Sequence, residues 1–297
     1  MYNSILDTIG NTPLVRIGSI FKKENVEIYA KIEGTNPTGS IKDRIALKMI
    51  EQAEEDGSLK KGKTIIEATS GNTGISLAMI GAVKGYDVEI VMSSAVSIER
   101  QNMIKAFGAD VILTDASKGT DGAIIEAHRR CEEYPDKYFS PNQFSNKYNK
   151  LAHYSTTAEE ILRDTKGQVT HYVSALGTSG TLMGVGTRLK EYDENIKVVS
   201  AHPVRGHYIQ GLKNMSEAIV PSIYNEELID ITVMIESEEA FEMSRRIVLE
   251  EGIFVGMSAG AALLAAIEVG NSIDKGLIVC VFADRGEKYL STDLFKR

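Results

Sequence analysis

Short apolar runs alternate along the 297-residue chain with longer stretches of helical periodicity. EIYAKIE (27–33), KTIIEAT (63–69), DVEIVMS (87–93), ADVILTD (109–115), THYVSAL (170–176), IKVVSAH (196–202) and LIVCVFA (277–283) read as strands. Between them lie RIALKMIEQAEEDG, TGISLAMIGAVKGY, SIERQNMIKAFG, DGAIIEAHRRCEEY, TTAEEILRDT, GTLMGVGTRLKEY and ALLAAIEVG, which carry apolar residues at helical spacing. This alternation predicts an α/β fold with mostly parallel sheets. The strands are continuous apolar runs, as expected where helices cover both faces of a sheet. The chain has no internal repeat, low-complexity tract or Pro/Ser-rich linker, so the polar stretch FSPNQFSNKYNKLAHYS (139–155) is the best candidate boundary. VRGHYIQGLKNMSEAIVPSIYNEE (204–227) has little periodicity and is expected to be a long ordered loop, a class that is usually functional or disordered.

Three glycine-rich turns open helices. Thr69-Ser70-Gly71-Asn72-Thr73-Gly74 follows a strand directly and supplies hydroxyls, an amide and helix N-terminal N–H groups. That set suits a carboxylate or phosphate, although an ordinary capped turn has the same composition. Gly177-Thr178-Ser179-Gly180-Thr181 repeats the arrangement and reads as a phosphate cradle, or as glycines placed for close helix packing. It matches neither the Walker A pattern nor the dinucleotide GxGxxG pattern, so a phosphate without a nucleotide is the better fit. Gly256-Met257-Ser258-Ala259-Gly260 formally matches the serine-hydrolase elbow GxSxG. No histidine follows His207, however, and no oxyanion loop is evident, which argues against that chemistry.

NPTGSIKDR (36–44) poses a question of charge. Pro37 and Gly39 mark a turn, and Ser40 with Asp43 is expected to cap the helix that follows. Lys42 then falls in the first helical turn, where the macrodipole disfavours an ammonium by a few tenths to about 1 kcal/mol.

Composition narrows the field. A formal charge of −8 argues against nucleic acid or an anionic membrane as a partner. No apolar stretch approaches the length of a membrane helix, and MYNSILDTIG does not resemble a signal peptide, so the expected compartment is the cytoplasm. The two cysteines do not form a disulfide framework, and Cys280 in LIVCVFA is expected to pack as a buried hydrophobe. The five histidines show no metal-ligand spacing, so no metal is expected.

A lysine at a helix start, then TSGNTG, GTSGT and GMSAG, stand in a telling order. The set resembles the cysteine synthase and cystathionine β-synthase family of pyridoxal 5′-phosphate (PLP) enzymes, of fold type II. The likeness runs from Thr8-Ile9-Gly10-Asn11-Thr12-Pro13-Leu14 to Glu287-Lys288-Tyr289-Leu290-Ser291. GLKNMSEAIVPSIYN and ADRGEKYLST are most similar to the B-type cysteine synthases, including those that use O-phosphoserine. The resemblance implies two three-layer α/β domains, tryptophan synthase β-like. Residues 1–37 and 149–297 would form the larger, phosphate-binding domain, and 38–148 a smaller mobile domain that binds the substrate carboxylate.

By the same resemblance Lys42 forms the Schiff base with PLP and is the catalytic proton carrier, which answers the question its position raises. Burial and a helix N-terminus both lower a lysine's pKa. Asn72 is implied at the cofactor's 3′-oxygen, Gly177, Thr178, Ser179, Gly180 and Thr181 at its phosphate, and Ser258 at the pyridine nitrogen. Thr69, Ser70, Asn72, Thr73 and Gln143 are implied at the substrate carboxylate, and Lys213 at a donor phosphate. The implied reaction is β-replacement: an activated serine, O-phosphoserine or O-acetylserine, loses its leaving group to give an α-aminoacrylate, and sulfide adds to give L-cysteine. Cystathionine formation with homocysteine, sulfide release by a cysteine β-lyase, and a catalytically silent PLP-fold binding protein are the alternatives. A homodimer is the family expectation. The loop after IQG reads LKNMSEAIVP and the segment near Glu287 reads FADRGEKYL, and both depart from the best-known members.

Overall fold

Two largely parallel sheets divide the protein, which is seen in a computed structural model describing residues 1–69 and 71–296. The larger sheet joins β1 (Leu14–Arg16), β2 (Val26–Ile32), β7 (His171–Ala175), β8 (Lys197–Pro203), β9 (Ile231–Ile235) and β10 (Gly276–Phe282) in the order β1-β2-β10-β7-β8-β9. Only the β1–β2 pair is antiparallel. The smaller sheet is fully parallel and joins β3 (Thr64–Ala68), β4 (Val88–Ser93), β5 (Asp110–Thr114) and β6 (Tyr138–Phe139) in the order β5-β4-β3-β6. The α/β fold expected from the apolar runs is therefore the observed one, and each of the seven strands read from the sequence is present within a residue of its expected limits.

The helices are α1 (Lys42–Glu55), α2 (Asn72–Lys84), α3 (Ile98–Ala106), α4 (Gly119–Glu133), α5 (Lys147–Ala152), α6 (Ala158–Asp164), α7 (Gly180–Tyr192), α8 (Ser237–Arg246) and α9 (Met257–Ser272). The stretch expected to be a polar boundary loop (139–155) is partly helical. α5 forms within it and runs through one π-helical turn, His153–Thr157, into α6. α9 is buried along nearly its whole length against the larger sheet. Its small residues allow close approach: a Cβ at Gly260 would collide with the α8 backbone at Ala240, so this glycine of GMSAG serves packing. Cys280 is fully buried in the core of β10, as expected.

Parallel strands bring their carboxyl ends to one edge, and ligands of open α/β sheets bind there. The segments leaving β2, β3, β7, β8 and β10 all reach a single cleft between the two sheets. Among the described residues no helix is long and apolar enough to cross a membrane.

Candidate active site

α1 presents Lys42 as its first residue, and a buried ionic network fixes the helix. Arg44 makes paired bonds of 2.7 and 2.8 Å to Glu33 at the end of β2, and bonds of 2.6 and 2.8 Å to Glu160 on α6. Lys31 adds 2.8 Å to Glu160, and Thr12 donates to Glu33 at 2.7 Å. Burial alone would raise the Glu160 carboxyl, but Arg44 and Lys31 outweigh it and hold it at about 2. The expected Ser40–Asp43 capping pair takes a different form. Ser40 Oγ accepts from Lys42 N at 3.3 Å, whereas the buried Asp43 carboxylate turns back to Thr38 N (2.8 Å), Thr38 Oγ1 and Ser76 Oγ (2.6 Å). Asp43 thus pins the turn before the helix to α2, rather than the helix start to itself.

Lys42 lines the cleft, and within the described residues its amine makes no hydrogen bond or ion pair. Burial pulls its pKa below the usual lysine value, and the more distant charges of Asp284 and Glu33 only partly restore it. A lysine left unpaired at a helix N-terminus is poised to lose its proton.

Around Lys42 the cleft collects Thr69, Asn72, Thr73, Gln143, Gly177, Thr178, Ser179, Thr181, Lys213 and Ser258, all residues singled out in the sequence. Ser70 lies outside the described residues. Gly180 does not line the cleft. A Cβ there would run into the Asn149 side chain, and one at Gly177 would come within 2.5 Å of Gly211 O. Both glycines are therefore needed for close approach of neighbouring chain, and a side chain at either would press on Asn149 or Gly211, not into the cleft.

The turn 177–181 leaves hydrogen-bonding groups unused by the described residues. Ser179 is held at φ +68°, an uncommon left-handed backbone for a serine, at the cap of α7. Its hydroxyl is buried without a partner. Thr178 Oγ1 accepts from Asn149 Nδ2 at 3.1 Å, which leaves its own proton to donate. Thr181 Oγ1 meets His153 Nε2 at 3.2 Å, and burial, reinforced by the Arg44 and Lys42 charges, keeps that histidine neutral. The N–H groups of Gly177 to Thr181 are bonded to no described group.

The turn at 69–74 is arranged differently. Gly71 takes φ +135°, which glycine alone adopts freely, to start α2. Thr69 Oγ1 accepts from Gly71 N at 3.1 Å, and Thr73 donates to Gln143 Oε1 at 2.7 Å. Asn72 Nδ2 donates to Asp284 Oδ2 at 2.6 Å, while its own Oδ1 is buried and unpartnered. Ser258 Oγ, at the start of α9, makes no bond to any described residue and opens on the cleft.

Several participants were not foreseen. Asp284 accepts from Asn72, from Tyr289 OH at 2.7 Å, and pairs with Arg100 at 3.7 Å, tying α3 to the segment after β10. Arg100 also donates to Gln210 at 2.8 Å and stacks on Tyr289. Glu67, at the end of β3, holds Gln143 from below. Lys213 sits at the mouth, 3.6 Å from Asp121 of α4 and over the Phe144 ring, with its pKa lowered by burial and partly restored by Asp121. Among the described residues no group of three or more His, Cys, Asp or Glu could hold a metal ion.

The buried Lys42 amine and the unused donors of 177–181 thus share one cleft, and residues 5–284 match the family described as "Pyridoxal-phosphate dependent enzyme". The chain belongs to that family of PLP-dependent enzymes. Within it, a cysteine synthase of Aquifex aeolicus is 47% identical over 300 residues, 98% of this chain and 92% of that protein. The crystal structure of a cysteine synthase from Entamoeba histolytica superimposes with a TM-score of 0.94 at 44% identity, covering 100% of this chain and 91% of that one. A hydrogen sulfide-producing enzyme of Fusobacterium nucleatum gives a TM-score of 0.93 at 45% identity over 98% of this chain and 100% of that one.

Proposed function

We propose that this enzyme makes L-cysteine by β-replacement, from an activated serine and sulfide, with Lys42 as cofactor anchor and proton carrier. The observation that carries this reading is the Lys42 amine, desolvated and without a described partner, in one cleft with a turn whose N–H groups and Ser179 hydroxyl are unused by the described residues. PLP, when bound, supplies the electron sink that lets the donor's α-proton and β-substituent leave.

The protein's residues then have distinct tasks. The N–H groups of 177–181 with the hydroxyls of Thr178, Ser179 and Thr181 would hold the phosphate. The second N–H of Asn72, whose first is fixed by Asp284, would reach the cofactor's 3′-oxygen. Ser258 would meet the ring nitrogen as a hydroxyl, which does not hold it protonated and so favours elimination over longer-lived carbanion chemistry. Lys42 would bind the aldehyde carbon at rest and, once displaced by the donor's amino group, accept the α-proton and return it to the product. Thr69, Ser70, Asn72, Thr73 and Gln143 would orient the donor carboxylate, and Lys213 would meet the leaving group, exchanging its 3.6 Å contact with Asp121 for a donor phosphate. A silent binding protein would have no use for a desolvated amine at this position.

The same reading takes residues 38–148 as a mobile unit closing on 1–37 and 149–297, the protein as a homodimer, and its compartment as the cytoplasm. Exposed Leu249, Phe254 and Leu290 are apolar surface that a second copy would cover. The sulfide-producing Fusobacterium relative favours a second activity, sulfide release from cysteine by the same residues. Assaying cysteine formation from O-acetylserine or O-phosphoserine with sulfide, beside sulfide release from cysteine alone, tests the proposal. Faster release than synthesis at equal substrate would replace it with the lyase reading.

A further inference from the structure

Glu67 has no task in the reaction described, yet it is a fully buried carboxyl bonded to a residue of the site. Its Oε1 accepts from both Gln143 N and Gln143 Nε2, each at 3.3 Å, and its Oε2 is buried without a partner. The Gln143 amide is otherwise complete: Nε2 also donates to Ala68 O at 3.1 Å, and Oε1 accepts from Thr73 at 2.7 Å. Both side-chain N–H groups are thus already used inside the protein. Gln143 cannot give one to a substrate carboxylate without letting go of Ala68 or Glu67, and the contact with Glu67 is the longer.

We propose that Glu67 is a built-in competitor for Gln143: an incoming carboxylate takes the Gln143 N–H from Glu67, and Glu67 takes up a proton from solvent as it loses that bond. This rests on the reading of Gln143 as a carboxylate-binding residue. A carboxyl in this setting is ready to do so, because burial pushes it up to about 7 even while the Gln143 and Asn142 N–H groups pull it down. Removing one of those donors raises it further, so binding and proton uptake are linked and the carboxylate binds more tightly at lower pH. Few other charges bear on Glu67. From α4 it faces Cys131, whose thiol it helps push up, and Glu132 and Lys63 act on that thiol rather than on Glu67. Its register neighbour on β4 is Ile90, α2 is linked to Gln143 by the Thr73 hydroxyl, and the 140–146 loop brings Asn142 and Gln143.

The test uses the holoenzyme and propionate, a carboxylate without an amino group, which cannot displace Lys42. Calorimetry from about pH 6 to about pH 9 should find wild-type affinity falling about tenfold, with proton uptake on binding, and Glu67→Gln binding without that fall. The same pH course in both proteins, or wild-type binding without proton uptake, would overturn the proposal. The wild-type uptake measurement decides it even if Glu67→Gln does not fold. Gln143→Ala separates the underlying reading. If it binds propionate as tightly as wild type, Gln143 is not a carboxylate residue. If it binds more weakly while wild type and Glu67→Gln respond alike to pH, only the competitor role of Glu67 fails.

Discussion

The turns at 69–74 and 177–181 look alike in sequence, each a hydroxyl- and glycine-rich link between a strand and a helix, but their hydrogen bonds are arranged differently. At 177–181 hydrogen-bonding capacity is left over: Ser179 Oγ is buried and unpartnered, and Thr178 keeps a proton to donate. At 69–74 more of that capacity is taken up: Thr69 Oγ1 accepts from Gly71 N, Thr73 donates to Gln143 and Asn72 to Asp284, and Asn72 Oδ1 is left over. On the proposed reading the turn at 177–181 is preorganised for a resident anion, whose binding would exchange water for fixed donors. On the same reading the turn at 69–74 would rearrange when a substrate arrives, which suits a ligand that comes and goes each turnover.

Lys42 lines the same cleft as both turns, and among the described residues no hydrogen bond ties its amine to either, so its removal should be the most severe change and leave both intact. Lys42→Ala is expected to lower kcat/KM for cysteine synthesis at least about a thousandfold with an unchanged thermal midpoint, read by steady-state assay beside a melting curve.

A blow to the turn at 177–181 should separate cofactor retention from substrate binding. Gly177→Leu would force its side chain against Gly211 O and move the turn, so PLP affinity should fall about a hundredfold, read by dialysis and absorbance. Full cofactor occupancy in that variant would make 177–181 a packing turn and erase the contrast.

Outside both turns, Lys213 lacks the planar fork of arginine and is a point charge 3.6 Å from Asp121. Lys213→Ala should cut kcat/KM for O-phosphoserine about tenfold to a hundredfold and spare O-acetylserine. Equal losses on both donors would make Lys213 a structural tie across the cleft mouth.

The smallest effects concern stability and pH, and two buried carboxyls should act in opposite directions. Glu67 is raised from 4.5 to about 7, so the folded state binds more protons in that window, and its contribution is lost as pH rises through about 7. Glu160 is lowered from 4.5 to about 2, so its contribution is present above the unfolded value and lost as pH falls through about 2. Thermal midpoints across pH should show Glu67→Gln flattening the decline above about pH 4.5 and Glu160→Gln flattening the acid limb. The latter should also lose about 3 kcal/mol, because Arg44 and Lys31 are left facing a neutral group.

The main strands and most helices were legible because each carries its own apolar signal. β1 and β6 were not, being three and two residues long and defined only by the neighbour they pair with. β9 follows a long irregular segment, and the charged α8 hides its apolar stripe. The lining residues came from local motifs, but what engages them did not. Asn72 and Asp284 lie 212 positions apart, Arg100 reads as an ordinary helix-surface charge, and Glu67 lies in a strand otherwise apolar at its centre. Such pairings exist only once the two sheets face each other. The glycines show the same limit, since their composition was visible but the direction of the Cβ they lack was not.

On the proposed reading Lys42, lining one cleft with both turns, carries the cofactor. Treating the purified protein with borohydride and mapping the product by peptide mass spectrometry tests it directly. The account predicts loss of visible colour and a pyridoxyl-phosphate adduct on Lys42 alone. An adduct on another lysine, such as the buried Lys288 whose pKa burial lowers to about 8, or no adduct on a coloured protein, would contradict it.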